Sequence, residues 1–182
     1  MSSWRTSLVS LCLGEDGVIA YPTEGVWGLG CLPESAFATA RILRLKQRSW
    51  TKGLLLVAAD ISQFEGYLAG LNGFAVAELE KNWPGPVTYL LPDNGFAPRW
   101  VVGSNETIAL RVSDHPTVRK LCGSVGPLVS TSANVSGHAA ALTSLRVRQY
   151  FGREVDYLVP GKLGGLRGPS AIQHLMTGER IR

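Results

Sequence analysis

Short apolar runs alternate with helix-length patterns along the chain and predict one α/β domain over residues 1–182. Residues 54–58 are apolar without interruption, which is typical of a strand buried on both faces of a sheet. Further strands are predicted at residues 18–21, 87–91, 107–112 and 127–130. The tail predicts a hairpin, residues 171–175 and 179–182 around Thr177 and Gly178, so we expect a mixed sheet rather than a purely parallel one.

Helical spacing occupies several intervals between these strands. After Pro33, the residues Ala36, Phe37, Ala40 and Leu43 recur on one face of a predicted helix, with two arginines on the other face. Other helices are predicted around residues 8–13, over two stretches ending near residue 83, from residue 116 to about 122, and from residue 143 to about 152.

The composition is ordinary for a soluble globular chain, with 45% of residues hydrophobic and 18% charged. The longest aliphatic run, residues 54–59, is far shorter than the roughly 20 residues that cross a bilayer, so we expect no membrane segment. Residues 8–13 lack a following cleavage site, so an amphipathic helix explains them better than a signal peptide. Cys12, Cys31 and Cys122 form no C-x-x-C pair, which favours free thiols in the cytoplasm.

Familiar nucleotide, metal and hydrolase motifs are missing from the sequence. There is no G-x-x-x-x-G-K-[ST] segment, and the glycines after the first strand do not match the dinucleotide fingerprint. His115, His138 and His174 are scattered without metal spacing, so we expect surface or packing roles and no metal ligands from protein side chains. No G-x-S-x-G segment supports a hydrolase. The net charge of +4 permits an anionic partner such as a nucleotide or RNA without requiring one.

Three polar clusters next to predicted strands are the candidates for chemistry. Residues 21–30 (YPTEGVWGLG) predict a loop that exposes backbone N–H groups, although a tight strand-to-helix turn explains them better when they are taken alone. Residues 46–52 (KQRSWTK) carry three cations that could seat a polyphosphate, and a solvated helix end explains them equally well. Residues 130–137 (STSANVSG) carry more hydroxyls than a turn needs, which favours a ligand site at the end of a strand.

Two single residues complete the candidates. Arg111 ends a predicted strand, where its charge could meet a carboxylate or could be an exposed cation. Ser170 could cap a ligand or shape a turn.

Taken together and in this order, these segments resemble the YrdC/TsaC family of threonylcarbamoyl-AMP synthases. Seven motifs carry the resemblance over nearly the whole chain: residues 21–24 (YPTE), 46–48 (KQR), 52–54 (KGL), 84–88 (PGPVT), 109–111 (ALR), 131–137 (TSANVSG) and 169–170 (PS). A single motif of this kind would be weak, whereas seven in order are highly specific.

The resemblance implies a YrdC-like fold, an open twisted mixed sheet with helices and a positively charged concave face. It also implies a nucleotidyltransferase that converts L-threonine, bicarbonate or CO2, and ATP into threonylcarbamoyl-AMP and pyrophosphate, with Mg²⁺. The product would serve the t6A modification at position 37 of tRNA, through tRNA and other proteins of that pathway.

The resemblance also implies roles for individual residues. The family's K-x-R and S-x-N positions correspond to Lys46, Arg48, Ser132 and Asn134, which are implied to be catalytic and, with Lys52, to bind ATP. The residues implied to bind threonine are Thr23, Arg111 and Ser170, with Arg111 pairing the carboxylate.

Three positions depart from the common family pattern. Gly25 and Ala171 stand where many members carry threonine, so two hydroxyls are missing near the expected threonine site. Gly53 stands where many members carry proline, which should change loop stiffness more than chemistry.

Two other functions stay open on the sequence alone. A YrdC-like fold with net positive charge could bind tRNA or double-stranded RNA without turnover, although no aromatic stacking platform is visible. Carbamoyl transfer is the second alternative, because YrdC-like domains also occur inside larger hydrogenase-maturation proteins. This chain lacks the acylphosphatase-like and zinc-finger segments of those proteins.

Overall fold

A computed structural model describes residues 3–182 and shows an open eight-stranded sheet with helices packed on it. The strands are β1 (Ile19–Pro22), β2 (Trp27–Cys31), β3 (Leu55–Ala58), β4 (Val87–Pro92), β5 (Thr107–Val112), β6 (Leu128–Ser132), β7 (Tyr157–Leu158) and β8 (Ala171–His174). The helices are α1 (Ser3–Gly14), α2 (Ala36–Lys46), α3 (Glu65–Leu68), α4 (Gly73–Asn82), α5 (Arg99–Val102), α6 (Pro116–Val125) and α7 (Ser144–Phe151).

The sheet is mixed, as predicted. Its strands lie in the order β7-β1-β2-β6-β3-β5-β4-β8. The pairs β1–β7, β3–β5 and β4–β8 are parallel, and β1–β2, β2–β6, β3–β6 and β4–β5 are antiparallel. The predicted α/β class is therefore confirmed.

Apolar clusters cover both faces of the central strand β3. Leu56 packs in a cluster with Ile42 of α2, whereas Val57 packs in a second cluster with Val9 of α1 and Val118 of α6. Successive side chains of a strand point to opposite faces, which explains this division. The continuous apolar run was therefore a correct sign of a strand buried on both sides.

Two helices begin at the capping groups that the sequence offers. Thr143 Oγ1 accepts a hydrogen bond from the backbone N–H of Arg146 at 3.1 Å, which starts α7. Pro116 occupies the first turn of α6, where its missing N–H costs nothing. His115 caps the same helix, because its Nδ1 accepts from the N–H of Thr117 at 3.3 Å.

The prediction of one loop over residues 21–30 is wrong. β1 and β2 form an antiparallel hairpin in which Tyr21 pairs with Gly28 and Ile19 pairs with Gly30. Glycine is needed beneath the Tyr21 ring, because a Cβ on Gly30 would lie 2.8 Å from the ring carbon Cε1. β7 and α5 were also not predicted; both are very short.

The predicted apolar face of α2 is right for Leu43, which is buried, and wrong for Phe37. Phe37 is 65% exposed, whereas Ile42 and Lys46 are buried. Ile42 and Leu43 pack in the core in this rotation, and Arg41 on the flank of the helix adds an ion pair with Asp156 at 2.9 Å. The rotation brings Lys46 onto the face that packs against the sheet.

The predicted hairpin in the tail is present, although only its first half forms a regular strand. The N–H of His174 donates to the carbonyl of Glu179 at 2.8 Å, and the N–H of Ile172 donates to the carbonyl of Arg182 at 3.1 Å. This hairpin returns Arg182 to the edge of the sheet beside β8.

Candidate active site

A cleft of about 520 Å³ lies across one face of the sheet. Its base is formed by residues that pair across neighbouring strands: Gly28 with Ser132, Ser130 with Leu55, and Leu55 with Ala109. Paired residues of adjacent strands project to the same face. The cleft therefore crosses β2, β6, β3 and β5 in succession.

Seven of the eight predicted site residues line this cleft. They are Thr23, Arg48, Lys52, Arg111, Ser132, Asn134 and Ser170. The eighth, Lys46, does not line it. Arg182 adds a fourth basic side chain to the lining, and no acidic side chain of the described residues contributes to it. Such a lining suits an anionic ligand.

Lys46 lies beneath the loop that follows β6, and its ammonium group is fully occupied. Nζ donates to the carbonyl of Ser132, to the carbonyl of Asn134 at 3.0 Å and to Asn134 Oδ1 at 3.3 Å. In return, the N–H of Ser136 donates to the carbonyl of Lys46 at 2.8 Å. Lys46 therefore ties the end of α2 to this loop.

The surroundings of Lys46 favour loss of its proton. Burial, with a smaller contribution from the charge of Arg48, lowers the pKa of Lys46 from 10.5 to about 8. Three acceptors surround Nζ, and a neutral amine offers only two N–H groups. The network is therefore complete only while Lys46 is charged.

The side chain of Asn134 closes the same loop on itself. Its Oδ1 accepts from Ser132 Oγ at 2.6 Å, and its Nδ2 donates to the carbonyls of His138 at 2.8 Å and Val135 at 3.0 Å. Ser132 Oγ keeps free lone pairs, and both residues line the cleft. Asn134 thus shapes the loop that presents the Ser132 hydroxyl.

Arg48 and Lys52, called the basic wall below, are the two of the three cations in residues 46–52 that line the cleft. Arg48 Nη2 donates to the carbonyl of Gly53 at 3.0 Å, while its Nε is buried and has no hydrogen-bond partner. Burial lowers the pKa of Arg48 from its ordinary value. Gly53 has φ of +62°, a conformation that the ring of proline cannot adopt. Glycine at this position is therefore a requirement of backbone shape here, beyond loop stiffness.

Arg111 extends from the end of β5 and is 5% exposed. Its Nη1 lies 3.2 Å from Glu24 Oε2, and its Nε is buried without a hydrogen-bond partner. Burial alone would raise the pKa of Glu24, but the Arg111 charge and the Ser113 hydroxyl outweigh burial and lower it. Glu24 is thus an ionised partner for Arg111.

Thr23 and Ser170 line the same cleft as Arg111. Thr23 Oγ1 donates to the carbonyl of Val26 at 2.7 Å, which fixes the hydroxyl in the turn between β1 and β2. Ser170 Oγ lies 2.9 Å from the hydroxyl of Thr88, and both side chains are buried. Two small hydroxyls therefore have fixed positions in the cleft that Arg111 lines.

Residues 161–168, called the strap below, cross the β1–β2 turn. The N–H of Gly164 donates to the carbonyl of Thr23 at 3.1 Å, and the N–H of Leu166 donates to that of Glu24 at 2.9 Å. A Cβ on Gly25 would collide with the carbonyl oxygen of Gly168 and lie 2.9 Å from its carbonyl carbon. The glycine that departs from the family pattern is therefore what lets the strap lie this close.

Several cleft residues were not found by sequence reasoning. Arg182 donates to the carbonyl of Ser170 through Nη2 at 2.9 Å and Nε at 3.2 Å. Thr88 lies in the PGPVT motif, which was a usable signal. His138 also lines the cleft; it is exposed, and its ring lies 6.1 Å from that of Tyr150, which agrees with the expected surface or packing role. His115 and His174 lie outside the lining.

Two kinds of feature are missing from residues 3–182. No cluster of three or more His, Cys, Asp or Glu side chains there could hold a metal ion. No helix in that range is long and apolar enough to cross a membrane. The three cysteines are free thiols.

The chain is an α/β protein with an open mixed sheet and, on one face, a basic, hydroxyl-rich cleft that suits an anionic ligand. Comparisons with known proteins identify its family. The family model for Sua5, YciO and YrdC proteins, described as "Telomere recombination", matches residues 12–182. Threonylcarbamoyl-AMP synthases from Pseudomonas fluorescens and Pseudomonas aeruginosa are 47% and 49% identical, with 100% of this chain and 98% of each relative covered. The chain belongs to the Sua5/YciO/YrdC family.

Solved structures agree with this assignment. Sua5 of P. abyssi complexed with L-threonine has a TM-score of 0.91 at 26% identity, with 99% of this chain and 53% of that chain covered. E. coli YciO has a TM-score of 0.83 at 24% identity, with 99% and 91% covered. The chain spans about half the length of the P. abyssi protein, and the predicted YrdC-like fold is confirmed.

Proposed function

We propose that this protein is an L-threonylcarbamoyladenylate synthase, which forms threonylcarbamoyl-AMP and pyrophosphate from L-threonine, CO2 or bicarbonate, and ATP. The observation that carries the proposal is the cleft, which combines four basic side chains with fixed hydroxyls and no acidic side chain of the described residues. The names of relatives at 47–49% identity over the whole chain support the same reaction.

The reaction needs charge neutralisation more than a strong base. The amine of threonine adds to CO2 and loses a proton, which gives a carbamate anion. A carbamate oxygen then forms a bond to the α-phosphorus of ATP, and pyrophosphate leaves with the electrons of the broken P–O bond. Because an anion must approach a triphosphate, cations that line the cleft lower the repulsion between them.

We assign the binding of the ATP phosphates to the basic wall and to the loop after β6. Arg48 and Lys52 face the cleft as cations, and Ser132 presents a hydroxyl beside them. Lys46 and Asn134 belong to the same ATP site because their hydrogen bonds hold the loop that carries Ser132. Much of the rate would then come from the positioning of bound ATP.

The amino-acid end is assigned to Thr23, Arg111 and Ser170. The unpartnered Nε of Arg111 is a donor suited to the threonine carboxylate. Thr23 Oγ1 and Ser170 Oγ, fixed by their present partners, are suited to the amine and hydroxyl of threonine. The L-threonine bound to P. abyssi Sua5 supports a threonine site in this fold.

Mg²⁺ belongs to the proposal as a companion of ATP. The cleft lining offers hydroxyls but no carboxylate among the described residues, so the ATP phosphates would be its main ligands. Bound there, the ion would neutralise phosphate charge. We also propose that the product serves the t6A modification of tRNA in the cytoplasm, together with other proteins of that pathway.

Pyrophosphate release from ATP by the purified protein tests the proposal. We expect release with Mg²⁺ that requires both threonine and bicarbonate, each omitted in turn. Release that depends on carbamoyl phosphate instead of threonine would favour the carbamoyl-transfer alternative. No release, with RNA retained in the absence of threonine and ATP, would favour the RNA-binding alternative.

A further inference from the structure

The carboxylate of Glu24 contacts Arg111 from outside the cleft. Arg111 lines the cleft and Glu24 does not; Glu24 instead borders a second, more open cavity of about 420 Å³ beside Pro84 and Asp114. The side chain of Glu24 is 13% exposed and that of Arg111 is 6% exposed, so water screens the ion pair weakly. Glu24 is therefore placed to act on Arg111 without touching a ligand of the cleft.

Glu24 is itself held in one orientation. Ser113 Oγ donates to Glu24 Oε1 at 2.6 Å, and the N–H of His115 donates to Ser113 Oγ at 3.1 Å. The strap holds the backbone of Glu24 through the N–H of Leu166 at 2.9 Å. With side chain and backbone both fixed, Glu24 offers Oε2 at a defined position.

The contact with Glu24 involves one nitrogen of the guanidinium, Nη1. Glu24 Oε2 lies 3.2 Å from Nη1 of Arg111 and accepts no well-aligned hydrogen bond, so the contact is mainly electrostatic. Nη1 lies on the side of the group opposite the edge formed by Nε and Nη2. That edge is the one that binds a carboxylate with two parallel hydrogen bonds, and its Nε is buried without a partner.

We propose that Glu24 is a positioning residue, which holds Nη1 of Arg111 and so presents the Nε–Nη2 edge to the carboxylate of the amino-acid substrate. This inference rests on the proposed function of Arg111. Glu24 and the substrate do not compete, because they use different sides of the guanidinium. A guanidinium already oriented before binding loses less side-chain freedom when the carboxylate arrives.

Two variants of Glu24 change the length and the charge of the side chain in turn. Glu24→Asp keeps the charge but is one methylene shorter, so it cannot reach Ser113 and Arg111 together; we expect the Kd and KM for L-threonine to rise about tenfold. Glu24→Gln keeps the length but removes the charge that attracts Nη1, and its amide N–H group would face either that nitrogen or the Ser113 hydroxyl, so we expect a rise of similar size. The KM for ATP should stay within about twofold of wild type in both, because the contact is at the amino-acid end.

The same change in an Arg111→Met background tests whether Glu24 acts through Arg111. We expect Arg111→Met alone to weaken threonine binding, and Glu24→Asp to add nothing to it. Threonine is titrated by calorimetry and by pyrophosphate release. A Glu24→Asp or Glu24→Gln protein with wild-type threonine affinity, or additive losses in the double variant, would overturn the proposal. If Arg111→Met leaves threonine binding unchanged, the assigned role of Arg111 fails instead.

Discussion

Substitution of Lys46 by methionine should separate the stability of the fold from the activity of the site. Methionine has similar length and no charge, so the carbonyls of Ser132 and Asn134 lose the donor that they now share. Each buried acceptor without a partner costs about 1–3 kcal/mol, or about 4 kcal/mol for the pair. Asn134 Oδ1 keeps the hydrogen bond from Ser132 Oγ.

The loss is largely offset by the burial of Lys46 itself. A pKa lowered from 10.5 to about 8 corresponds to about 3 kcal/mol of unfavourable burial that methionine avoids. The net change in the free energy of unfolding is therefore about 1 kcal/mol, which lowers Tm by about 2–4 °C in a chain of this length. The loop that presents Ser132 loses its anchor, so we expect kcat/KM for ATP to fall at least about 100-fold.

The pH dependence of activity provides a second measurement on the same variant. Wild-type pyrophosphate release should fall as pH rises through about 8, because neutral Lys46 cannot satisfy its three acceptors. Between pH 8 and 10.5 the unfolded chain holds more protons than the folded one, so the contribution of Lys46 to stability rises with pH in this window. The two quantities should therefore move in opposite directions.

Residual activity of Lys46→Met should lack this alkaline limb, and the variant controls for titration of the substrates. The reasoning would be refuted by near-wild-type activity of Lys46→Met, by a Tm loss above about 10 °C, or by the same alkaline limb in the variant.

Two further predictions concern the amino-acid end of the cleft. Gly25→Ala should force Gly168 of the strap away from the β1–β2 turn, lower the free energy of unfolding by about 1–3 kcal/mol and weaken threonine binding; thermal melts and threonine titration test this. Gly123→Ala, where a Cβ has open space, is the matched control, and equal melts for the two variants would contradict the steric argument. Thr88→Val removes the partner of the Ser170 hydroxyl and should raise the KM for threonine about fivefold with little change in the KM for ATP. Equal rises in both constants would contradict the assignment of Ser170 to threonine.

Local patterns were sufficient to predict the strands that have apolar side chains and the helices that have caps. β5 was predicted with its observed bounds, and the cap at Thr143 gave the start of α7. β2 was not predicted because Gly28 and Gly30 carry no side chains. The alternation of apolar and polar side chains that marks a strand is therefore missing from the sequence.

The members of the site were easier to predict than their contacts. Seven of the eight residues predicted from the motifs line one cleft, because the motifs follow strands that share a sheet face. The burial of Lys46 depends on the rotation of α2, which an ion pair to Asp156, 115 positions from Arg41, helps to fix. The link from Ser113 to Glu24 spans 89 positions. No local pattern in the sequence reports such contacts.

Transfer of label from ¹³C-bicarbonate tests the central claim most directly. The purified protein is incubated with ATP, Mg²⁺, L-threonine and the labelled bicarbonate. The nucleotide products are then separated, and their masses are measured by mass spectrometry. The account predicts an adenylate that contains threonine and one ¹³C atom, formed in equal amount to pyrophosphate. Pyrophosphate without such an adenylate, or an adenylate without the label, would contradict it.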